Sequence, residues 1–236
     1  MTTQNEGTDP VREKSYRIHR SGRDRLLRGD VKLFAGHPHG LADRFLAAAT
    51  FTTEDVLEFA TRVAEPFGFL EDCGTGSYCL AGLDFPLHTT IGEACIHGNA
   101  ASREEGFSRA ARSIETMCPC IRELCGTELV FDYAFFDGGN ICITQLGSMG
   151  NLPGIRSELV KAYTELGMTD ADKLLIQDLV HATVARVRIA PETGTAKELL
   201  RSIEQLQNEL AADPLRLTIA KIVLRPTIEF LTDRPV

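Results

Sequence analysis

The feature that most constrains the fold of this chain is the tetrapeptide Asp137-Gly138-Gly139-Asn140. It separates two β-rich apolar stretches, residues 129–136 and 141–146. Gly and Asn accept the positive φ that a tight turn between two strands requires. The pattern therefore predicts a β-hairpin, and with it a sheet that contains antiparallel strands.

The remaining elements surround this hairpin in two similar halves. The apolar periodicity predicts helices over residues 52–66, 102–124, 153–166 and 195–211, and Pro119 is expected to kink or end the second of them. It predicts strands over residues 77–83, 85–94, 179–189 and 215–224. Strand, helix and hairpin thus recur in both halves of the chain, and helices gathered on antiparallel sheets define the α+β class.

The N-terminal residues have a different composition from the rest. Residues 1–29 are polar and basic, which predicts an N-terminal extension, with the main domain over residues 30–236. The basic stretch Arg12–Arg28 is interpreted as a solvated arm or a short helix packed on the body, and an arm that contacts phosphate is the alternative. Residues 31–35 are expected to form a short strand, followed by a loop that exposes His37 and His39.

Composition narrows the class of protein. No apolar run approaches the ~20 residues that span a membrane, and residues 1–6 lack the basic and apolar regions of a signal peptide. We therefore expect a soluble cytoplasmic protein without a membrane partner, and nothing here indicates its oligomeric state. The formal net charge of −8 disfavours binding to long nucleic acid but permits a local positive pocket for a small or short substrate.

The cysteines indicate neither a disulfide framework nor a metal site. Their number, seven, is odd, and Cys79, Cys95 and Cys142 lie in apolar or helical patterns, which favours free thiols in a reduced compartment. The group Cys118-Pro119-Cys120 with Cys125 lacks the two-plus-two spacing of a structural zinc site. We expect no metal and no cofactor.

Two short segments carry the chemistry of this chain, Leu87-His88-Thr89-Thr90-Ile91 and Val180-His181-Ala182-Thr183-Val184. Each places a Thr two residues after a His within an aliphatic stretch, and one segment falls in each half. Because side chains alternate along a strand, His and Thr of each segment are expected on one face. His19-Arg20-Ser21 has the same spacing but lies in the basic stretch without strand character, so we interpret it as unrelated.

The two segments resemble the paired His-x-Thr signatures of the 2H phosphoesterase superfamily, which includes RNA 2′,5′-ligase-like cyclic phosphodiesterases. His181-Ala182-Thr183-Val184-Ala185-Arg186 follows that pattern through the Arg. In the first segment Thr89 stands where the family usually has an aliphatic residue, and Gly92-Glu93 replaces a more apolar continuation.

The resemblance implies a bilobal α+β fold, in which two pseudo-twofold-related lobes with antiparallel sheets surround a central cleft. It implies that His88 and His181 are catalytic, that Thr90 and Thr183 bind the phosphate, and that the substrate is a nucleotide or short RNA. The implied activity is metal-independent hydrolysis or transesterification of cyclic phosphates or phosphodiester bonds. A non-catalytic module that binds a nucleotide or an RNA end in the same cleft is the alternative.

The residue types suit this chemistry. Breaking such a bond requires one proton to be removed from the nucleophile and another to be delivered to the leaving oxygen, and imidazole can do either near neutral pH. Either His can take either role. In a regular strand Arg186 and Arg188 lie on the face opposite His181, so we expect a structural role for them.

Overall fold

The computed structural model describes residues 9–32, 44–72, 78–81, 86–95, 103–116, 122–147, 152–165 and 179–226. In chain order, the helices and strands within these ranges are α1 (Pro10–Leu27), β1 (Arg44–Phe51), α2 (Thr53–Phe59), α3 (Phe69–Asp72), β2 (Tyr78–Leu80), β3 (Thr89–Cys95), α4 (Arg103–Thr116), β4 (Glu128–Phe131), β5 (Tyr133–Phe136), β6 (Asn140–Thr144), α5 (Leu152–Glu165), β7 (His181–Val187), α6 (Thr193–Ala212) and β8 (Leu215–Pro226). After α2 the chain continues through one π-helical turn, Ala60–Ala64, and one 3-10 turn, Glu65–Phe67.

The strands form one eight-stranded sheet. Seven of them follow one another in the order β4-β8-β1-β3-β7-β6-β5, and the eighth, β2, pairs with β7. Every strand pair in the described part of the chain is antiparallel. Helices combined with an antiparallel sheet confirm the predicted α+β class.

The centre of the sheet is a narrow joint. A single residue pair, Thr89 with Ala182, connects β3 to β7. On one side of this joint β1, β8 and β4 follow β3, and on the other side β6 and β5 follow β7. The joint therefore lies inside the two His-x-Thr segments.

Apolar side chains on one face of the sheet form the main core. The buried stripe of α6 supplies one wall of this core (Ala196, Leu199, Leu200, Ile203, Leu206 and Leu210). From the sheet come Ile91, Ala182 and Val184, which belong to the two motif strands. Each fully buried aliphatic side chain of this kind contributes about 1.5–3 kcal/mol to the stability of the fold. The core therefore stabilises the two motif strands through the face of the sheet opposite to their His and Thr side chains.

The predicted hairpin is confirmed between β5 and β6. The Asp137 carboxylate accepts hydrogen bonds from the backbone N–H groups of Gly139 (2.8 Å) and Asn140 (2.7 Å), and Gly138 has a φ of 102°. The prediction of one strand over residues 129–136 is wrong, because the chain leaves β4 at Asp132. There the Asp132 carboxylate accepts the Leu146 N–H (2.7 Å), and the strand partner changes from β8 to β6.

The basic N-terminal stretch is helical and packs on the body of the protein as α1. His19 accepts the backbone N–H of Phe136 through Nδ1 (3.2 Å), so this histidine has a structural contact. At Gly22 the helix approaches the hairpin so closely that an added Cβ would lie 2.1 Å from the Phe136 carbonyl oxygen. The expected strand at 31–35 is not formed at residues 31 and 32, and residues 33–35, His37, His39 and Pro119 lie outside the described residues.

Among the residues that the structure describes, no helix combines the length and the apolar character needed to cross a membrane.

Candidate active site

Both motif histidines lie where a strand begins. His88 immediately precedes β3, and His181 is the first residue of β7. The strands predicted over residues 85–94 and 179–189 therefore begin later than expected, so that neither histidine lies in the middle of a strand. Their position brings the two rings to the point where the two halves of the sheet meet.

The strand register places the four motif side chains together. Extending the antiparallel register of the joint by one residue in each direction sets Thr90 opposite His181 and His88 opposite Thr183. Opposed residues project from the same face, as do residues two apart along one strand. We call this group of two His and two Thr on one face of the sheet the tetrad.

Each motif strand contains a β-bulge at the same distance from its histidine. The pairing of β3 with β1 shifts at Ile91, and the pairing of β7 with β6 shifts at Val184. Both residues lie three positions after the motif His and directly after the motif Thr. A bulge adds one residue to a strand and reverses the alternation of side chains beyond it.

This reversal brings an arginine to the tetrad face. Asn140 and Cys142, two residues apart on β6, lie opposite Arg186 and Thr183, respectively. Arg186 therefore projects from the same face as Thr183, and the expectation that it lies on the opposite face is wrong. It is buried, and its charge lowers the pKa of both His88 and His181.

A second buried arginine, which sequence reasoning did not select, links the two motif strands. Arg156 of α5 donates hydrogen bonds to the Thr90 carbonyl of β3 (2.5 Å) and to the Leu179 carbonyl (3.0 Å), two residues before His181. Its guanidinium thus connects β3, the segment that leads into β7, and α5. No motif in the sequence identifies it, because its partners are backbone atoms from distant segments.

Burial has a strong effect on the two imidazoles. It lowers the pKa of His88 to about 4, with further lowering by the charges of Arg186 and His181. Burial likewise lowers the pKa of His181 to about 4, with further lowering by Arg156 and Arg186. Both rings are therefore neutral in the unliganded protein at pH 7.

Backbone carbonyls lie beside both rings at equivalent positions. The Pro86 carbonyl, two residues before His88, is 2.8 Å from its Nδ1. The Leu179 carbonyl, two residues before His181, lies near that ring and opposes the lowering of its pKa. It does not meet hydrogen-bond geometry with Nδ1 of His181, which has no partner among the described residues. A carbonyl at Nδ1 favours the tautomer that leaves Nε2 as the proton acceptor.

Two neighbours complete the surroundings of the tetrad. Cys142 is a buried free thiol, as its apolar pattern predicts, and its Sγ lies 4.0 Å from the Thr183 hydroxyl. Burial raises the pKa of this thiol well above its usual range, so it stays neutral. Thr89, unusual in the family pattern, projects to the core face, where its hydroxyl has no partner among the described residues. It is therefore not part of the tetrad.

The described residues contain no group of three or more His, Cys, Asp or Glu arranged to hold a metal ion.

No family model matches this chain, and no curated protein matches its sequence. Among solved structures, the chain is similar to that of Kluyveromyces marxianus Usb1 with uridine monophosphate, with a TM-score of 0.36 and 11% sequence identity over 79% of this chain and 99% of that chain.

The lowered pKa values predict a loss of stability in mild acid. Above pH ~6.5 the imidazoles are neutral in both the folded and the unfolded state. As the pH falls from 6.5 towards 4, only the unfolded chain binds protons, and the free energy of unfolding falls by up to about 1.4 kcal/mol per pH unit for each histidine. Urea unfolding at pH 7 and pH 5 measures this loss. Between pH 7 and pH 5 we expect the free energy of unfolding of His181→Asn to fall by about 2 kcal/mol less than that of the wild type. Equal falls in the two proteins would assign the effect to other groups.

Proposed function

We propose that this protein is a phosphodiesterase of the 2H type that acts on 2′,3′-cyclic phosphates of nucleotides or short RNA. The observation that carries the proposal is the tetrad, in which two His-Thr pairs meet on one face of the sheet around a single joint. The β-bulge three residues after each motif histidine and the backbone carbonyl two residues before it support the two related lobes that the resemblance implies. The cleft between these lobes is then the binding site.

In this mechanism one imidazole acts as a base and the other as an acid. The neutral histidine removes a proton from the attacking water, whose oxygen forms the new bond to phosphorus. The protonated histidine delivers a proton to the ribose oxygen as the P–O bond breaks, which yields a nucleoside monophosphate. The two imidazoles supply both proton transfers, so the scheme includes no metal ion, and the roles exchange when the reaction is reversed.

The other groups stabilise the charge on the phosphate. The hydroxyls of Thr90 and Thr183 donate hydrogen bonds to the non-bridging oxygens, on which negative charge increases in the transition state. Arg186 adds a buried positive charge on the same face. Its field in a site of low dielectric constant is stronger than that of a surface arginine.

The electrostatics of the pair favour the required mixed protonation state. A charge on His181 lowers the pKa of His88, so the pair binds a first proton more readily than a second. A bound phosphodiester carries a negative charge, which favours protonation of one ring and raises its pKa from about 4. Substrate binding thus creates the acid that the unliganded protein lacks at pH 7.

A panel of four 2′,3′-cyclic nucleotides tests the proposal directly. The full chain is incubated with each nucleotide in the presence of EDTA, and the products are separated by chromatography. We expect a nucleoside monophosphate to form from at least one of them. Binding without turnover would favour the non-catalytic module, and neither binding nor turnover would contradict both functions for mononucleotides.

A further inference from the structure

The exposed side of α1 carries a concentration of positive charge that the tetrad chemistry does not use. Between Arg12 and Arg28 the chain has seven Lys or Arg and two acidic residues, a net charge of +5, whereas the whole chain carries −8. Five of these arginines are exposed (Arg12, Arg17, Arg20, Arg23 and Arg28). None of the five forms an ion pair within the part of the chain that the structure describes. The acidic residues Glu13 and Asp24 are also exposed on this helix.

An aromatic ring lies among these arginines. Tyr16 is 42% exposed, four residues after Arg12 and four before Arg20, so the three side chains are neighbours on the helix surface. The edge-to-face contact of Tyr16 with Tyr133 of β5, at 5.0 Å between ring centroids, holds its ring in place. Positive charge combined with an exposed aromatic ring is the combination that binds single-stranded nucleic acid, because phosphates pair with arginine and bases stack on the ring.

The helix lies on the same side of the sheet as the tetrad. Val11 and Ile18 of α1 pack against Phe135 and Cys142. Cys142 lies opposite Thr183, a member of the tetrad, and on the same face of the sheet. The helix therefore packs on the tetrad face of the sheet, at β5 and β6.

The helix is also held firmly enough to act as a platform. Only a glycine fits at position 22 against the hairpin backbone, and the Nδ1 of His19 accepts a hydrogen bond from that backbone. Arg25 donates through Nε to the Asp30 carbonyl (3.0 Å), which fixes the end of the helix. A rigid surface loses little conformational freedom on binding.

We propose that the outer face of α1 binds the phosphate backbone of a single-stranded RNA whose terminal nucleotide occupies the cleft, with Tyr16 stacking on one of its bases. This inference rests on the proposed function and extends it, because it makes short RNA the better substrate than a mononucleotide. A helix of 18 residues is about 27 Å long, so several nucleotides are needed to span it.

The test compares two substrates on the full chain. One is a 2′,3′-cyclic mononucleotide, and the other is an oligouridylate of about eight nucleotides that ends in a 2′,3′-cyclic phosphate. The variant carries Arg12→Gln, Arg17→Gln and Arg20→Gln. The matched control loses the same charge at three exposed positions elsewhere, Lys197→Gln, Arg201→Gln and Lys221→Gln.

For the oligonucleotide we expect kcat/KM of the α1 variant to fall by about tenfold or more. A plot of log kcat/KM against log salt concentration should also become less steep by roughly 2, because three phosphate contacts are lost. The mononucleotide reaction and the control variant stay unchanged. Tyr16→Ala weakens oligonucleotide binding, measured by fluorescence anisotropy, whereas Tyr16→Trp retains it because a larger ring still stacks.

Equal losses in the α1 variant and the control, or no loss in either, would overturn the inference. Binding of anionic vesicles or an acidic peptide by these arginines, without binding of the oligonucleotide, would also overturn it. If the wild-type chain turns over neither substrate, the proposed function fails, and the anisotropy measurement still decides whether α1 binds RNA.

Discussion

Replacing His88 or His181 by asparagine is expected to lower kcat for hydrolysis of a 2′,3′-cyclic nucleotide by about 10²- to 10⁴-fold. Asparagine keeps a polar side chain of similar size but cannot exchange a proton at neutral pH. Because the two rings act as one acid–base pair, the double variant should be little slower than either single variant. Initial rates measured with EDTA present, with circular dichroism to check folding, test this expectation.

The matched control for these variants is His19→Gln. His19 has the same spacing to a hydroxyl residue as the two motif histidines, but it lies in α1 and accepts the Phe136 N–H. Glutamine retains an acceptor, so we expect the specific activity of the folded protein to be unchanged. Full activity in His88→Asn or in His181→Asn would refute the two-histidine mechanism.

Replacing Arg156 by methionine is expected to lower both stability and activity. The substitution leaves the Thr90 and Leu179 carbonyls without these donors in a buried region, which costs about 2–5 kcal/mol. It also removes the side chain that links β3 to the segment before β7, next to the single residue pair that joins these two strands. The kcat/KM should therefore fall even at temperatures at which the variant is folded, and lysine, with one amine, should restore only part of it.

A measurement on the histidines separates this positioning role from a general loss of stability. Burial is the main cause of the lowered pKa of both histidines; the charge of Arg156 lowers the pKa of His181 further, whereas the charges that lower the pKa of His88 further are those of Arg186 and His181. Titration of the imidazole C–H signals by NMR should therefore show a larger rise for His181 than for His88 in Arg156→Met. The control variant Arg201→Met, at an exposed position, should change stability by less than about 0.5 kcal/mol. Equal rises in the pKa of both histidines in Arg156→Met would contradict the positioning role of Arg156.

The sequence was sufficient to predict the tetrad because its geometry depends on one rule, the alternation of side chains along a strand. That rule holds from His88 to Thr90 and from His181 to Thr183, since both bulges come after the threonine. It fails from Val184 onward, which is why Arg186 was expected on the wrong face. A bulge depends on the neighbouring strand, and the residues of β7 alone do not reveal it.

Other differences have similar causes. The stretch 129–136 has continuous strand character, yet Asp132 divides it, because its carboxylate finds a partner at Leu146 that is distant in the sequence. Arg156 appears in the sequence only as one residue of a predicted helix, and its importance depends on carbonyls at residues 90 and 179. In both cases the local pattern indicated the type of element, while a tertiary contact divided the strand at Asp132 and gave Arg156 its role.

The docking of α1 also has a consequence for how the sheet avoids self-association. β5 is the last strand of the path, and a terminal strand presents unpaired N–H and C=O groups that can recruit a strand from another molecule. Here the backbone N–H of Phe136 donates a hydrogen bond to the imidazole of His19, and the backbone at Gly22 covers the carbonyl of the same Phe136. The N-terminal helix thus protects an edge at which a shortened chain would be open to aggregation.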